Sequence, residues 1–243
     1  MMSSPDQPGG ITRRTALRRL GAGGLALPGL GFAAGTVVPA EEAFPATACT
    51  LTPELTEGPY YLDLLKVRKN ITEGKSGIRL DLRVKVINSS TCKAMDDVAV
   101  EIWRADAGGT YSGFSAEGTA GKTYLRGLQV SGDDGVAAFR TIYPGWYPGR
   151  AIHIHLKCHV GGRVSSATYS GGSVAHTGQL FFRDATSDKV MQLSGYKKSG
   201  TRTRNSGDSI YADKGSGSVV ALTRRGSSLA SGFTGRVTVA IDA

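Results

Sequence analysis

Tyr143-Pro144-Gly145-Trp146-Tyr147-Pro148-Gly149-Arg150-Ala151-Ile152-His153-Ile154-His155 is the most informative run in this 243-residue chain. From Ile152 to Val160 apolar residues alternate with His153, His155, Lys157 and His159. Period-two alternation predicts a β-strand with one apolar face and one imidazole-bearing face. Side chains at i and i+2 point the same way, so His153 and His155 converge on one spot. The chain holds only four His, and two of them stand here beside a Pro- and Gly-rich aromatic turn. That favours metal ligation over chance polarity, although two imidazoles alone leave a metal two or more ligands short.

Working outward, the remaining chain reads as strands and turns. Ile78, Leu80, Leu82, Val84 and Val86 alternate with Arg79, Asp81, Arg83 and Lys85, a half-buried strand. Val98, Val100 and Ile102 alternate with Ala99, Glu101 and Trp103. Leu125–Val130 and Val136–Ile142 flank Ser131-Gly132-Asp133-Asp134-Gly135, whose Asp-Gly is a hairpin signal. Further short runs cover 180–182, 219–222 and 237–241, with Gly161-Gly162, Gly171-Gly172 and Gly215–Gly217 as punctuation. No amphipathic helix, internal repeat or linker stands out. The expectation is one all-β domain, an antiparallel β-sandwich with long loops.

The first forty residues read differently. Arg13, Arg14, Arg18 and Arg19 precede a Gly- and Ala-rich apolar stretch from Leu20 to Val38, and Pro39-Ala40 ends it. This predicts a twin-arginine export signal over 1–40, a mature domain over 41–243 and a secreted product. An uncleaved anchor is the competing reading, but Gly dilution and Pro28 make this a poor membrane span. The signal carries +3 of the formal +9, leaving +6 on the remainder. The densest basic stretch, Lys189 to Arg204 with Lys197, Lys198 and Arg202, lacks aromatic interleaving beyond Tyr196. It reads as a solvated loop, and no nucleic-acid partner is expected.

Three cysteines suit an exported chain with one pair and one free thiol. Cys158 falls on the apolar strand face, so Cys49 and Cys92 are the candidate disulfide.

A second cluster, Glu101-Ile102-Trp103 through Gly108-Gly109-Thr110-Tyr111, is a strand running into a Gly-Gly turn that ends on a phenol. Together with Thr56-Glu57-Gly58-Pro59-Tyr60-Tyr61, Thr141–Tyr147, Arg150–His155 and Thr177–Phe182, it resembles the intradiol ring-cleavage dioxygenases, specifically a short exported branch. The likeness is collinear over about residues 49–243.

The resemblance implies a mononuclear non-haem Fe(III) held by Tyr111, Tyr147, His153 and His155, with Tyr147 as the ligand a bound diol displaces. It implies a catechol-type substrate and O2 as partners, and a cis,cis-muconate-type diacid as product. Arg150 matches the family arginine that stabilises charge on the ring. Gln179 matches a glutamine beside the site. Tyr60 falls at a pocket-lining position, with plain core packing as the alternative. The chemistry is consistent: phenolate is a hard anionic donor suited to ferric iron, whereas tyrosine is a rare zinc ligand. His159 and His176 match no ligand position. Only five residues separate Tyr147 from His153, and residues 41–77 leave no room for a helical N-terminal domain, so oligomeric state stays open. The alternative function is a non-catalytic β-sandwich that binds aromatic polymers.

Overall fold

The computed structural model describes residues 43–44, 49–197 and 199–243. The export signal expected over 1–40 lies outside them, as does Lys198. Among the described residues, no helix is long and apolar enough to cross a membrane.

Two four-stranded sheets pack face to face. The back sheet has the order β4 (Val136–Ile142), β1 (Arg79–Asn88), β8 (Phe233–Ile241), β7 (Ala221–Arg224). The front sheet has the order β3 (Arg126–Val130), β2 (Ala99–Trp103), β5 (His153–Ser165), β6 (Thr168–Phe181). The expected all-β sandwich is present. Pairing is antiparallel except between β1 and β8, which run parallel.

β1 alternates as its sequence demands. Leu80, Leu82, Val84 and Val86 are wholly buried between the sheets, and Arg79, Asp81, Arg83 and Lys85 face outward. Across from them the front sheet contributes Val100, Ile102, Ile154, Leu156 and Cys158. Each such side chain contributes about 1.5–3 kcal/mol by leaving water. β5 departs from the half-buried pattern, because residues 153–159 are buried on both faces. Its imidazole face is covered by the segment from Thr52 to Leu62 and by the long loops.

The Asp-Gly turn at 131–135 does not make a hairpin. β3 pairs with β2 and β4 pairs with β1, so this turn carries the chain from one sheet to the other. The hairpin in this half of the molecule is β5–β6, which turns at Ser166 and Ala167, both at positive φ. Gly161-Gly162 and Gly171-Gly172 therefore lie inside strands rather than between them, with Gly162 paired to Gly171. The Tyr169 ring fills the space a side chain at Gly162 would take, and its hydroxyl accepts from Gly162 N at 2.9 Å.

Two short helices were not legible, α1 (Asp184–Val190) and α2 (Ser209–Asp213). Neither is long enough to show a 3.6-residue period. Lys189 closes α1, and Arg202 bridges Asp184 and Asp188, so the basic stretch is partly helical and internally paired rather than a solvated loop. Cys49 and Cys92 form the disulfide, and Cys158 is a buried free thiol.

Candidate active site

Strand register builds the floor of the site. Arg126 of β3 lies opposite Trp103 of β2, Trp103 opposite His155 of β5, and His155 opposite Gln179 of β6. These four side chains share one row on the outer face of the front sheet, since their neighbours Ile102, Ile154 and Leu180 point into the core. The Trp103 indole stacks on His155 with centroids 5.0 Å apart and planes 5° apart.

Two loops bring the phenols over this floor. Tyr111 follows the turn after β2, and Tyr147 lies in the segment between β4 and β5. The loops touch backbone to backbone: a Cβ on Gly145 would meet Asp106 O at 2.3 Å, and one on Gly109 would meet Trp146 O at 2.1 Å. Glycine at these points is what lets the two tyrosines meet. Their hydroxyls lie 3.5 Å (Tyr111) and 3.2 Å (Tyr147) from His153 Nε2, which is 3.0 Å from His155 Nε2.

Burial favours the neutral form of every member of this cluster. The His153 pKa is pushed down to about 3 by burial, with the Arg150 charge adding to the effect. His155 is driven well below its ordinary value by burial and by His153. Burial lifts Tyr111 well above the usual phenol range, and Tyr147 beside it raises it further. Tyr147 is raised too, chiefly by burial, against the opposing pull of Arg150. His153 Nδ1 lies 2.6 Å from Ala151 O, which fixes Nδ1 as the protonated nitrogen and turns the Nε2 lone pair toward the cluster.

This donor set fits a small, hard cation. With metal–ligand bonds of about 2 Å, donor atoms around one ion sit about 3 Å apart, which is how far the two phenol oxygens and His155 Nε2 lie from His153 Nε2. Two phenols able to ionise and two neutral imidazoles match the charge of a trivalent ion better than that of zinc. Among the described residues no group of three or more His, Cys, Asp or Glu gathers as a metal site, so the phenols are indispensable to this reading.

A strap closes over the imidazoles. Gln179 Nε2 donates to Thr56 O at 2.8 Å and Arg126 Nη1 to Tyr60 O at 2.8 Å. Lys157 pairs with Glu57 and lies 3.6 Å from the Tyr61 ring centroid, and the Tyr61 hydroxyl donates to Glu101 at 3.3 Å. Gly58, at φ +73°, crosses directly above His155. Tyr60 stacks on Tyr111 at 4.2 Å and 5° and makes an edge contact with Tyr147.

The dioxygenase family model matches residues 56–162. An intradiol ring-cleavage dioxygenase from Tetranychus urticae is 34% identical over 80% of this chain and 95% of its own, with a TM-score of 0.68. The chain belongs to the intradiol ring-cleavage dioxygenases. The dioxygenase domain of a carbohydrate-binding fusion protein from Streptomyces sp. SirexAA-E is 27% identical over 79% of this chain and 99% of its own, TM-score 0.57. Catechol 1,2-dioxygenase from Acinetobacter sp. ADP1, at 19% identity, 79% and 62% coverage and TM-score 0.55, shares the fold. A comparison with curated proteins finds no match.

In this dioxygenase all seven residues singled out from the sequence gather in one place. Arg150 donates through Nη2 to Gln179 Oε1 at 2.5 Å and through Nε to Asp208 at 2.9 Å. The sequence reading gave no role to Asp208 or Arg126, and it quoted Trp103 and Gly58 only as parts of motifs. Asp208 carries no motif, being an N-cap far along the chain, but Trp103 was within reach through its place beside Glu101 on an alternating strand. His159 is accounted for by its 3.2 Å contact with Glu101, remote from the phenols. His176 is buried with both ring nitrogens unpartnered.

Proposed function

We propose that the chain cleaves the ring of a catechol-type diol between its two hydroxyls. Both atoms of O2 enter the product, a cis,cis-muconate-type diacid. Tyr111, Tyr147, His153 and His155 would hold a mononuclear non-haem Fe(III). The observation that carries this reading is that two phenol oxygens and the His155 Nε2 atom all lie within 3.0–3.5 Å of His153 Nε2. Ferric iron bound there would supply a Lewis acid that favours the ionised diol and withdraws charge from its ring.

The protein's own residues prepare that chemistry. The Ala151 carbonyl holds the His153 tautomer, and Trp103 fixes the plane of His155. Tyr111 is wholly buried, whereas Tyr147 is only partly buried beside the exposed Pro148-Gly149 turn, so Tyr147 is the phenol free to move aside. Arg150, held by Asp208 and Gln179, places a positive charge where it favours phenolate over phenol and can stabilise negative charge on the diol. Gln179 offers a neutral amide beside it. Tyr60 and Phe114 form an aromatic wall against which a flat ring can lie. The strap keeps water from the imidazoles.

Export by the twin-arginine route belongs to the same reading, and the Cys49–Cys92 disulfide supports an oxidising destination. The test is oxygen uptake with catechol by iron-loaded protein, alongside its visible spectrum. A tyrosinate charge-transfer band and turnover should appear together and vanish together in Tyr111→Phe and His155→Ala. A colourless, iron-loaded protein inert toward diols would overturn the proposal. Export is tested separately by replacing Arg13 and Arg14 with Lys, which should block secretion.

A further inference from the structure

The back sheet turns a strongly basic groove to solvent, on the side of the sandwich opposite the phenol–imidazole cluster. The groove has a volume of about 590 Å³ and is lined by Lys69, Arg79, Arg83, Arg140 and Arg236, with Asp81 as its one carboxylate. We infer that this face docks an acidic polysaccharide, a chain bearing regularly spaced carboxylates.

Register explains how the charges gather. Arg83 of β1 lies opposite Ala138 of β4 and Arg236 of β8, while Asp81 lies opposite Arg140 and Thr234. Neighbouring strands are about 4.8 Å apart, so three strands present guanidinium groups within one short span. The segment 69–71 adds to the β4 edge, with Arg140 N donating to Lys69 O, which brings Lys69 alongside. The small neighbours Ala138 and Thr234 leave a trough between the long side chains.

Internal pairing leaves these cations largely unmatched. Asp81 is already held by Arg79 Nε at 3.0 Å and by Arg225. Arg83 reaches only Asp134, at 3.9 Å on the exposed rim. Among the described residues Lys69, Arg140 and Arg236 have no carboxylate partner, and Arg236 Nε is buried with no partner at all. Like charges placed opposite each other on adjacent strands destabilise a sheet. The fold gains nothing from them, because the apolar face of β1 packs whatever its outer face carries.

The occupant follows from what the groove offers. Guanidinium forks bind carboxylates two oxygens at a time. Among the described residues the only ring lining the groove belongs to Phe139, which is 2% exposed, so they offer no platform on which unpaired nucleic-acid bases could stack. Nor does the face carry the apolar strip that a membrane surface would engage.

The probe is polygalacturonate, titrated against the full protein by calorimetry at low ionic strength. Binding should appear, weaken steeply with added salt, and fall by at least about tenfold in Arg83→Gln/Arg236→Gln. The double variant removes a repulsive pair, so its melting temperature should stay level or rise. Arg140→Glu, on an exposed side chain, gives an independent variant with the same expected loss. Absence of binding at low salt, binding indifferent to both variants, or equally tight and variant-sensitive binding of duplex DNA would each overturn the inference. None of these readouts involves ring cleavage, so the result stands apart from the proposed activity.

Discussion

Asp208 and Arg150, 58 residues apart in sequence, meet at 2.9 Å through a carboxylate that is wholly buried. The same carboxylate accepts from Ala151 N at 2.7 Å and caps α2 by accepting from Ile210 N and Tyr211 N. One side chain thus locks the start of β5, the first turn of α2 and the arginine of the site. Burial opposes its charge, but the Ala151 amide and the Arg150 guanidinium prevail and hold its pKa below the ordinary carboxylate value.

Asp208→Asn should therefore loosen Arg150 while preserving much of the cap. We expect kcat/KM for catechol to fall about tenfold to a hundredfold, the cost of a misplaced site group. Thermal unfolding should show a loss of about 1–3 kcal/mol. Steady-state kinetics beside calorimetry would separate the two effects, and unchanged kinetics would show that Arg150 needs no such anchor.

Gly58→Ala tests the strap. A Cβ there would sit 3.1 Å from His155 Cε1 on a backbone at φ +73°. The backbone strain alone costs roughly 1–2 kcal/mol. The variant should retain less iron per chain than the parent after identical loading, as measured by metal analysis, because His155 must shift.

His176 should govern part of the acid response. Its ring is 1% exposed and unpartnered, and burial lowers its pKa despite the opposing Glu54 charge. The unfolded chain therefore takes up this proton first as pH falls through about 6.5. Stability from His176 staying neutral is present above that pH and lost below it. His176→Leu should flatten the decline in melting temperature between pH 7 and pH 5 relative to the parent. At neutral pH it should also stabilise by about 1 kcal/mol, by removing an unsatisfied polar group.

The cysteines give a count. Burial pushes the Cys158 thiol up to about 12, so native protein should resist alkylation at pH 8. Unfolding without reductant should expose one thiol per chain, and with reductant three. Reduction of Cys49–Cys92, which spans 43 residues, should cost about 4 kcal/mol of stability. Two reactive thiols in native protein would contradict the disulfide, and alkylation of Cys158 itself would contradict its burial.

Legibility varied with the range of the interaction. β1 and the first half of β5 announced themselves because period-two alternation is a local property. The Asp-Gly turn misled because turn chemistry sets the direction of the chain and not the partner of the strand that follows. Gly161-Gly162 and Gly171-Gly172 read as breaks, yet pair inside a hairpin because Tyr169 fills the space above Gly162. Asp208 was invisible for the same reason: a lone Asp acquires its role only when a distant arginine and two helix amides converge on it.

By itself, then, the order of residues determined the strand faces, the convergence of His153 with His155, the thiol left over for the core, and the kinship that points to two phenols. Tertiary structure alone decided which strands share a sheet, and hence that Trp103, His155 and Gln179 stand in one row beneath Tyr111 and Tyr147. It also decided that five cations crowd the opposite face. The physical reason is that alternation and spacing are carried by neighbouring bonds, whereas register, burial and unmatched charge arise only when distant segments compete for the same space.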